Sequence, residues 1–220
     1  MTYVKLSKGK FCWMLAVISL LFTSSALSLE IDAEAVKRGQ ASAAICSSCH
    51  QADGSGMNIP GGESWPRLAG LNRDYLIAQV NAFKTGTRSS PTMTPFAGML
   101  NPQQLIDVSS FYASLPTKPI TVANADAELL EHGKKLALEG DWERYIVPCS
   151  SCHGPGNQGV GSEFPGIAGQ HPGYIAQQLE AWQNGVRKND PQNLMGAIAK
   201  RLNSQDIAAV SAWLASQPAQ

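Results

Sequence analysis

Cys46-Ser47-Ser48-Cys49-His50 recurs 103 positions later as Cys149-Ser150-Ser151-Cys152-His153, and the surrounding sequence recurs with it. Trp65-Pro66-Arg67-Leu68-Ala69-Gly70 is answered by Phe164-Pro165-Gly166-Ile167-Ala168-Gly169 at an offset of 99. Tyr75 to Arg88 matches Tyr174 to Arg187 at that offset, with Gln79/Gln178, Phe83/Trp182 and Gly86/Gly185 in register. Met93-x-x-x-Ala97-x-x-Leu100 matches Met195-x-x-x-Ala199-x-x-Leu202, and Asn101 to Pro116 matches Asn203 to Pro218, both at an offset of 102. One unit is therefore written twice, and the small changes of offset are loop insertions between shared elements. The largest insertion is in the second copy: Gly39 precedes Cys46 by 7 residues, whereas Gly133 precedes Cys149 by 16. The extra stretch includes Asp141-Trp142-Glu143-Arg144-Tyr145 and reads as a packed loop.

The repeated unit is helical. Leu105, Val108, Phe111, Tyr112 and Leu115 recur at three and four, which puts them on one helix face. Asn101 stands where an N-cap belongs, with Pro102 at the first helical position. Ile207, Val210, Trp213 and Leu214 repeat the stripe behind Asn203. Leu76, Val80 and Phe83 mark a shorter helix stopping near Gly86, and Ile175, Leu179 and Trp182 one stopping near Gly185. A third helix is expected from about Ala33 into Cys46. No useful strand alternation occurs, so the fold class expected is all-α, in two tandem domains with long irregular loops. Pro116-Thr117-Lys118-Pro119 reads as a stiff, extended linker, because two prolines fix φ and disfavour helix. The division expected is residues 1–28 as a targeting segment, 29–116 as the first domain and 117–220 as the second.

Cys-x-x-Cys-His is the attachment signature of c-type haem. Two cysteines three apart on a helical turn present both sulfurs to one porphyrin edge, and the next residue carries an imidazole to the iron. Alternatives fit less well. A zinc ribbon needs its cysteine pairs about 15–20 residues apart, and a thioredoxin-like pair needs strands. Disulfides leave the histidine after each pair unexplained. The cofactor candidates are thus Cys46, Cys49, His50, Cys149, Cys152 and His153, holding two haem c groups. The sixth ligand is read from the repeat. Met93 lies 43 residues after His50 and Met195 lies 42 after His153, in equivalent places, whereas Met57 and Met99 have no methionine counterpart. Met93 and Met195 are expected on proline-stiffened loops after Pro91 and Pro191. The metal ligands are then His50, Met93, His153 and Met195. An iron capped on both sides has no open position for a substrate, which favours a carrier of single electrons over an enzyme. The competing reading is a haem enzyme, a diheme peroxidase or a sulfur-compound oxidoreductase, with one exchangeable ligand. His171 and His132 are expected on the surface. Tyr75, Tyr174, Arg67, Arg88 and Arg187 are either contacts to haem carboxylates or ordinary core and surface residues.

The remaining features set the compartment. The chain has 220 residues, of which 44% are apolar and 15% charged, and its formal net charge is zero. That composition suits a globular protein, and no basic stretch resembles a nucleic-acid footprint. Lys5, Lys8 and Lys10 precede an apolar run from Phe11 to Phe22, and Ala26 and Ser28 give a small-x-small cleavage pattern. The run is too short to span a bilayer. Cleavage near Ser28 removes Cys12 together with three lysines, leaving 14 basic against 17 acidic residues. The mature protein is expected in the periplasm.

Taken together, the tandem Cys-Ser-Ser-Cys-His units, the Pro-x-x-Ala-Gly segments, the Tyr-x-x-x-Gln helices, the Gly-x-Arg turns and the Met-x-x-x-Ala-x-x-Leu motifs resemble the cytochrome c4 family of diheme cytochromes. The match covers nearly all of residues 33–218. The resemblance implies two cytochrome c folds about a pseudo-twofold axis, with His50 and Met93 on one iron and His153 and Met195 on the other. It also implies redox protein partners, either a terminal oxidase or a periplasmic dehydrogenase such as thiosulfate dehydrogenase. Peripheral association with the membrane belongs to the same expectation.

Overall fold

A computed structural model describes residues 32–120 and 126–220, together with the isolated positions 2 and 122. The expected targeting segment lies outside the described residues. Among the described residues there is no sheet, only isolated bridges such as Met57 with Trp65 and Val160 with Phe164. The helices are α1 (Ala33–Ser42), α2 (Ser47–His50), α3 (Arg73–Thr85), α4 (Met93–Met99) and α5 (Pro102–Ser114), then α6 (Ala127–Leu138), α7 (Ser150–His153), α8 (Pro172–Gln183), α9 (Leu194–Ala199) and α10 (Ser204–Ser216). The all-α expectation is met, and the second five helices repeat the first five in order.

The local signals act where they stand. Asn101 accepts from the Gln104 N–H while the Gln104 side chain accepts from the Asn101 N–H, and Asn203 and Asp206 repeat this reciprocal cap on α10. α3 stops at Gly86, which is left-handed at φ 77°. Two expectations are corrected. The helix beginning at Ala33 does not run into Cys46; it ends at Ser42, and a turn separates it from α2. Met93 and Met195 sit on helices rather than on extended loops, at the first residue of α4 and the second of α9. The prolines set the approach to those helices, and the backbone N–H of Met93 donates to Ser90 Oγ at 3.0 Å.

Each half has its own core. In the first, α1 crosses α5 and α3 packs on α5, around Leu71, Leu76, Val108, Phe111 and Tyr112. In the second, α6 crosses α10 and α8 packs on α10, around Leu136, Ile146, Leu179, Trp213 and Leu214. Gly39 and Gly133 make the two crossings close: a Cβ on Gly39 would meet the Asp107 carbonyl, and one on Gly133 the Ala209 carbonyl. The insertion in the second half is anchored as a packed loop. Trp142–Arg144 form a single 3-10 turn, Ile146 enters the core at 1% exposure, and Asp141 and Ile146 bridge its ends. Trp142 and Tyr145 face solvent.

Candidate functional site

The short helices α2 and α7 present the two Cys-x-x-Cys-His motifs. In each, the histidine N–H donates to the carbonyl of the first cysteine, at 2.9 Å for both His50 and His153. Both imidazoles are buried. His50 Nδ1 lies 3.0 Å from the Pro66 carbonyl and His153 Nδ1 lies 2.7 Å from the Pro165 carbonyl. A carbonyl only accepts, so each Nδ1 carries its proton and each Nε2 keeps its lone pair free for a metal. Burial lowers both histidine pKa values, holding the rings neutral, as ligation requires. The four cysteines form no disulfide, and burial raises the Cys149 thiol to about 11.

All eight residues read from the sequence, Cys46, Cys49, His50, Met93, Cys149, Cys152, His153 and Met195, line one continuous cavity of about 890 Å³. Its walls are largely apolar, with Leu71, Phe83, Ile175 and Leu179 among them. Among the described residues, no three His, Cys, Asp or Glu side chains converge as a metal cluster. The two cysteine pairs therefore do not make one zinc site.

Where the halves meet, the cavity is bounded by an unusual set of cations. Arg88 and Arg187 bridge antiparallel. Arg88 Nη2 donates to Tyr174 Oη at 2.6 Å and to Gln178 Oε1 at 2.8 Å, while Arg187 Nη2 donates to Tyr75 Oη at 3.4 Å and to Gln79 Oε1 at 2.8 Å. Each arginine thus reaches the other half's Tyr-x-x-x-Gln, the reciprocity of a pseudo-twofold contact. Each also covers an aromatic ring of its own half, Arg88 on Phe83 at 4.6 Å and Arg187 on Trp182 at 4.0 Å. Both are buried, and neither pairs with a carboxylate among the described residues. Burial, then the neighbouring Arg88, lowers the pKa of Arg187. For Tyr174, burial alone would raise the phenol, but Arg88 and Arg187 bring it down. Buried cations without acids are costly unless an anion accompanies them. The residues present therefore fit haem c on three counts: thiols at the attachment spacing, neutral imidazoles with a free Nε2, and guanidinium groups suited to carboxylates.

Arg67 resolves differently. It is 3% exposed and spends its guanidinium on carbonyls: Nε on Gly169 and Nη2 on Ala168, both at 3.0 Å, and Nη1 on Ala69. Burial lowers it to about 10. Gln170 completes this joint, accepting from the Arg67 N–H at 2.8 Å and donating to its carbonyl at 3.0 Å. His171 is not on the surface as expected. It is buried, with Nε2 2.8 Å from the Ser55 carbonyl of the other half. His132 is likewise no free surface residue, since its Nε2 lies 2.8 Å from Asp206 Oδ1. Sequence reasoning missed the joint, although a signal existed: Arg67 and His171 are places where the repeat breaks, their counterparts being Gly166 and Asn72.

Known proteins bear on this geometry. The cytochrome c family model matches residues 36–116 and again 130–218. A thiosulfate dehydrogenase electron acceptor of Stutzerimonas stutzeri is 36% identical over 206 residues, covering 93% of this chain and 94% of its own. A cytochrome c4 of Pseudomonas aeruginosa is 36% identical over 200 residues, covering 90% and 96%. The crystal structure of reduced recombinant cytochrome c4 from Pseudomonas stutzeri superposes with a TM-score of 0.73 at 30% identity, over 83% of this chain and 98% of that one.

Proposed function

Because the chain belongs to the cytochrome c family, as a diheme member of its cytochrome c4 branch with two covalently bound haem c groups, we propose that it carries single electrons between exported redox proteins, one of them a dehydrogenase of the thiosulfate-oxidising class. When bound, each haem supplies a one-electron Fe(III)/Fe(II) couple. The residues of the chain do the rest. Cys46, Cys49, Cys149 and Cys152 hold thioether bonds. His50 and Met93 form one axial pair, and His153 and Met195 the other. Pro66 and Pro165 fix the imidazole tautomers, and the arginine pair at the junction holds carboxylates and keeps the two halves in register.

The observation that carries this reading is the meeting of both ligand sets on a single largely apolar cavity, with the duplicated motifs in equivalent positions. The partner class rests on the likeness to a protein named as the electron acceptor of thiosulfate dehydrogenase. A terminal oxidase is the proposed onward acceptor. The domain limits proposed are 29–116 and 117–220, preceded by a signal peptide over 1–28 that directs the chain to the periplasm.

A spectroscopic experiment tests the ligand set. The reduced protein is expected to show two c-type haems per chain, and the oxidised protein a methionine–iron charge-transfer band. Met93→Ala and Met195→Ala should each remove half of that band and admit carbon monoxide at one haem. If neither variant changes the band or binds carbon monoxide, the axial assignment is wrong. Stopped-flow reduction by a thiosulfate dehydrogenase tests the partner separately.

A further inference from the structure

The two halves of the cavity differ at one position that the repeat would make alike. Tyr112 and Leu214 are equivalent residues of α5 and α10, and both line the cavity. The tyrosine ring depends on Gly54. That residue is left-handed at φ +68°, and a Cβ there would come within 3.0 Å of Tyr112 Cδ1. The backbone counterpart of Gly54 is Asn157, whose carbonyl accepts from Ile167 and Ala168 as Gly54's does from Leu68 and Ala69. Glycine goes with tyrosine in the first half, and asparagine with leucine in the second.

The Tyr112 hydroxyl is buried and has no hydrogen-bond partner in the protein. Buried hydroxyls are ordinarily satisfied. The other buried side-chain atoms without partners belong to Asn157, His171 and Ser211, none of which lines the cavity. Among the described residues, Tyr112 alone joins an orphaned polar atom to the haem-binding space.

We propose that the Tyr112 hydroxyl donates a hydrogen bond into the first haem site and raises the reduction potential there, a handle that Leu214 denies the second site. The inference rests on the two-haem reading above. The phenol must be the donor, because a c-type haem offers carboxylates, thioether sulfurs and a π-face, all of them acceptors. Its O–H dipole then turns a positive end toward the redox centre in surroundings of low dielectric. That favours the state holding one more electron, and hydrogen bonding of this kind is a recognised lever on haem potential.

Redox titration of the purified two-haem protein, compared with Tyr112→Phe and Tyr112→Leu, tests this. Both variants should lower one midpoint and leave the other in place. The change expected is about threefold to tenfold in that haem's one-electron equilibrium constant, tenfold corresponding to about 59 mV. Hyperfine-shifted methyl resonances should move for one haem only. Unmoved midpoints in Tyr112→Phe overturn the proposal, as does an equal fall of both. A fall in Tyr112→Leu without one in Tyr112→Phe assigns the effect to the ring and also overturns it. A parent protein with fewer than two c-type haems would instead sink the reading on which the inference rests.

Discussion

Asp206 takes the third place in the cap behind Asn203, where the first half has Gln104. An amide there needs only its reciprocal bond; a carboxylate at 1% exposure needs cations as well. Arg144 supplies one from the insertion, with Nη1 2.6 Å from Oδ2, and His132 supplies another contact from α6. Burial alone would raise the pKa of Asp206, but Arg144, the Asn203 N–H and His132 together hold it below the ordinary carboxylate value. A depressed acid contributes stability above its unfolded pKa and loses it as pH falls through the folded one. Arg144→Ala is therefore expected to move acid unfolding to higher pH, and to cost about 1–3 kcal/mol at neutral pH. The lower end is favoured because Arg144 is itself partly exposed and screened. Thermal melts of the two proteins from pH 7 to 3 check both points. The haem-binding residues were legible at this scale because their spacing is chemistry. The Asp206 cluster was not, because its partners lie 62 and 74 positions apart along the chain.

Helices were legible where the chain itself punctuates them. Asn101 with Pro102, Asn203 and Gly86 mark their ends with groups that bond to the neighbouring backbone, so no distant partner is needed to recognise them. The break after Ser42 and the helical setting of Met93 and Met195 depend instead on how α2, α4 and α9 seat against the cavity, which periodicity does not encode. The crossings of α1 on α5 and of α6 on α10 are intermediate. Gly39 and Gly133 are visible in the repeat, but only the structure gives them a reason, since each lets a helix approach another's carbonyl. Gly39→Ala must push α1 away from Asp107, and overpacking of this kind typically costs about 1–3 kcal/mol. Gly133→Ala should do the same to the second half. Calorimetry of each holo variant should show a lower melting temperature with helix content retained by circular dichroism. An unchanged melting temperature would mean that the crossings are not close-packed.

The duplication makes two similar halves, and the residues that join them are the ones that break the repeat. Arg88 and Arg187 keep their symmetry and meet reciprocally, so the pseudo-twofold junction could be anticipated once Tyr-x-x-x-Gln was seen twice. Arg67, Gln170 and His171 form a one-sided bolt that no symmetry argument supplies. Within it, His171 lies beside a buried guanidinium and offers Nε2 to the Ser55 carbonyl, while Nδ1 has no partner. A carbonyl only accepts, so Nε2 carries the proton and the ring is neutral. Burial first, and Arg67 after it, lower the histidine pKa, outweighing the Ser55 bond. A histidine held neutral in the fold contributes stability that is complete above its unfolded pKa and lost as pH falls below it. Between neutral pH and about pH 5, below the unperturbed histidine value of about 6.5, the junction should therefore weaken. His171→Asn, which restores the residue of the first half, should flatten that part of the pH dependence. Melting temperatures of the holo protein between pH 7.5 and 5 measure it; equal slopes for parent and variant would place the acid sensitivity elsewhere than in this joint.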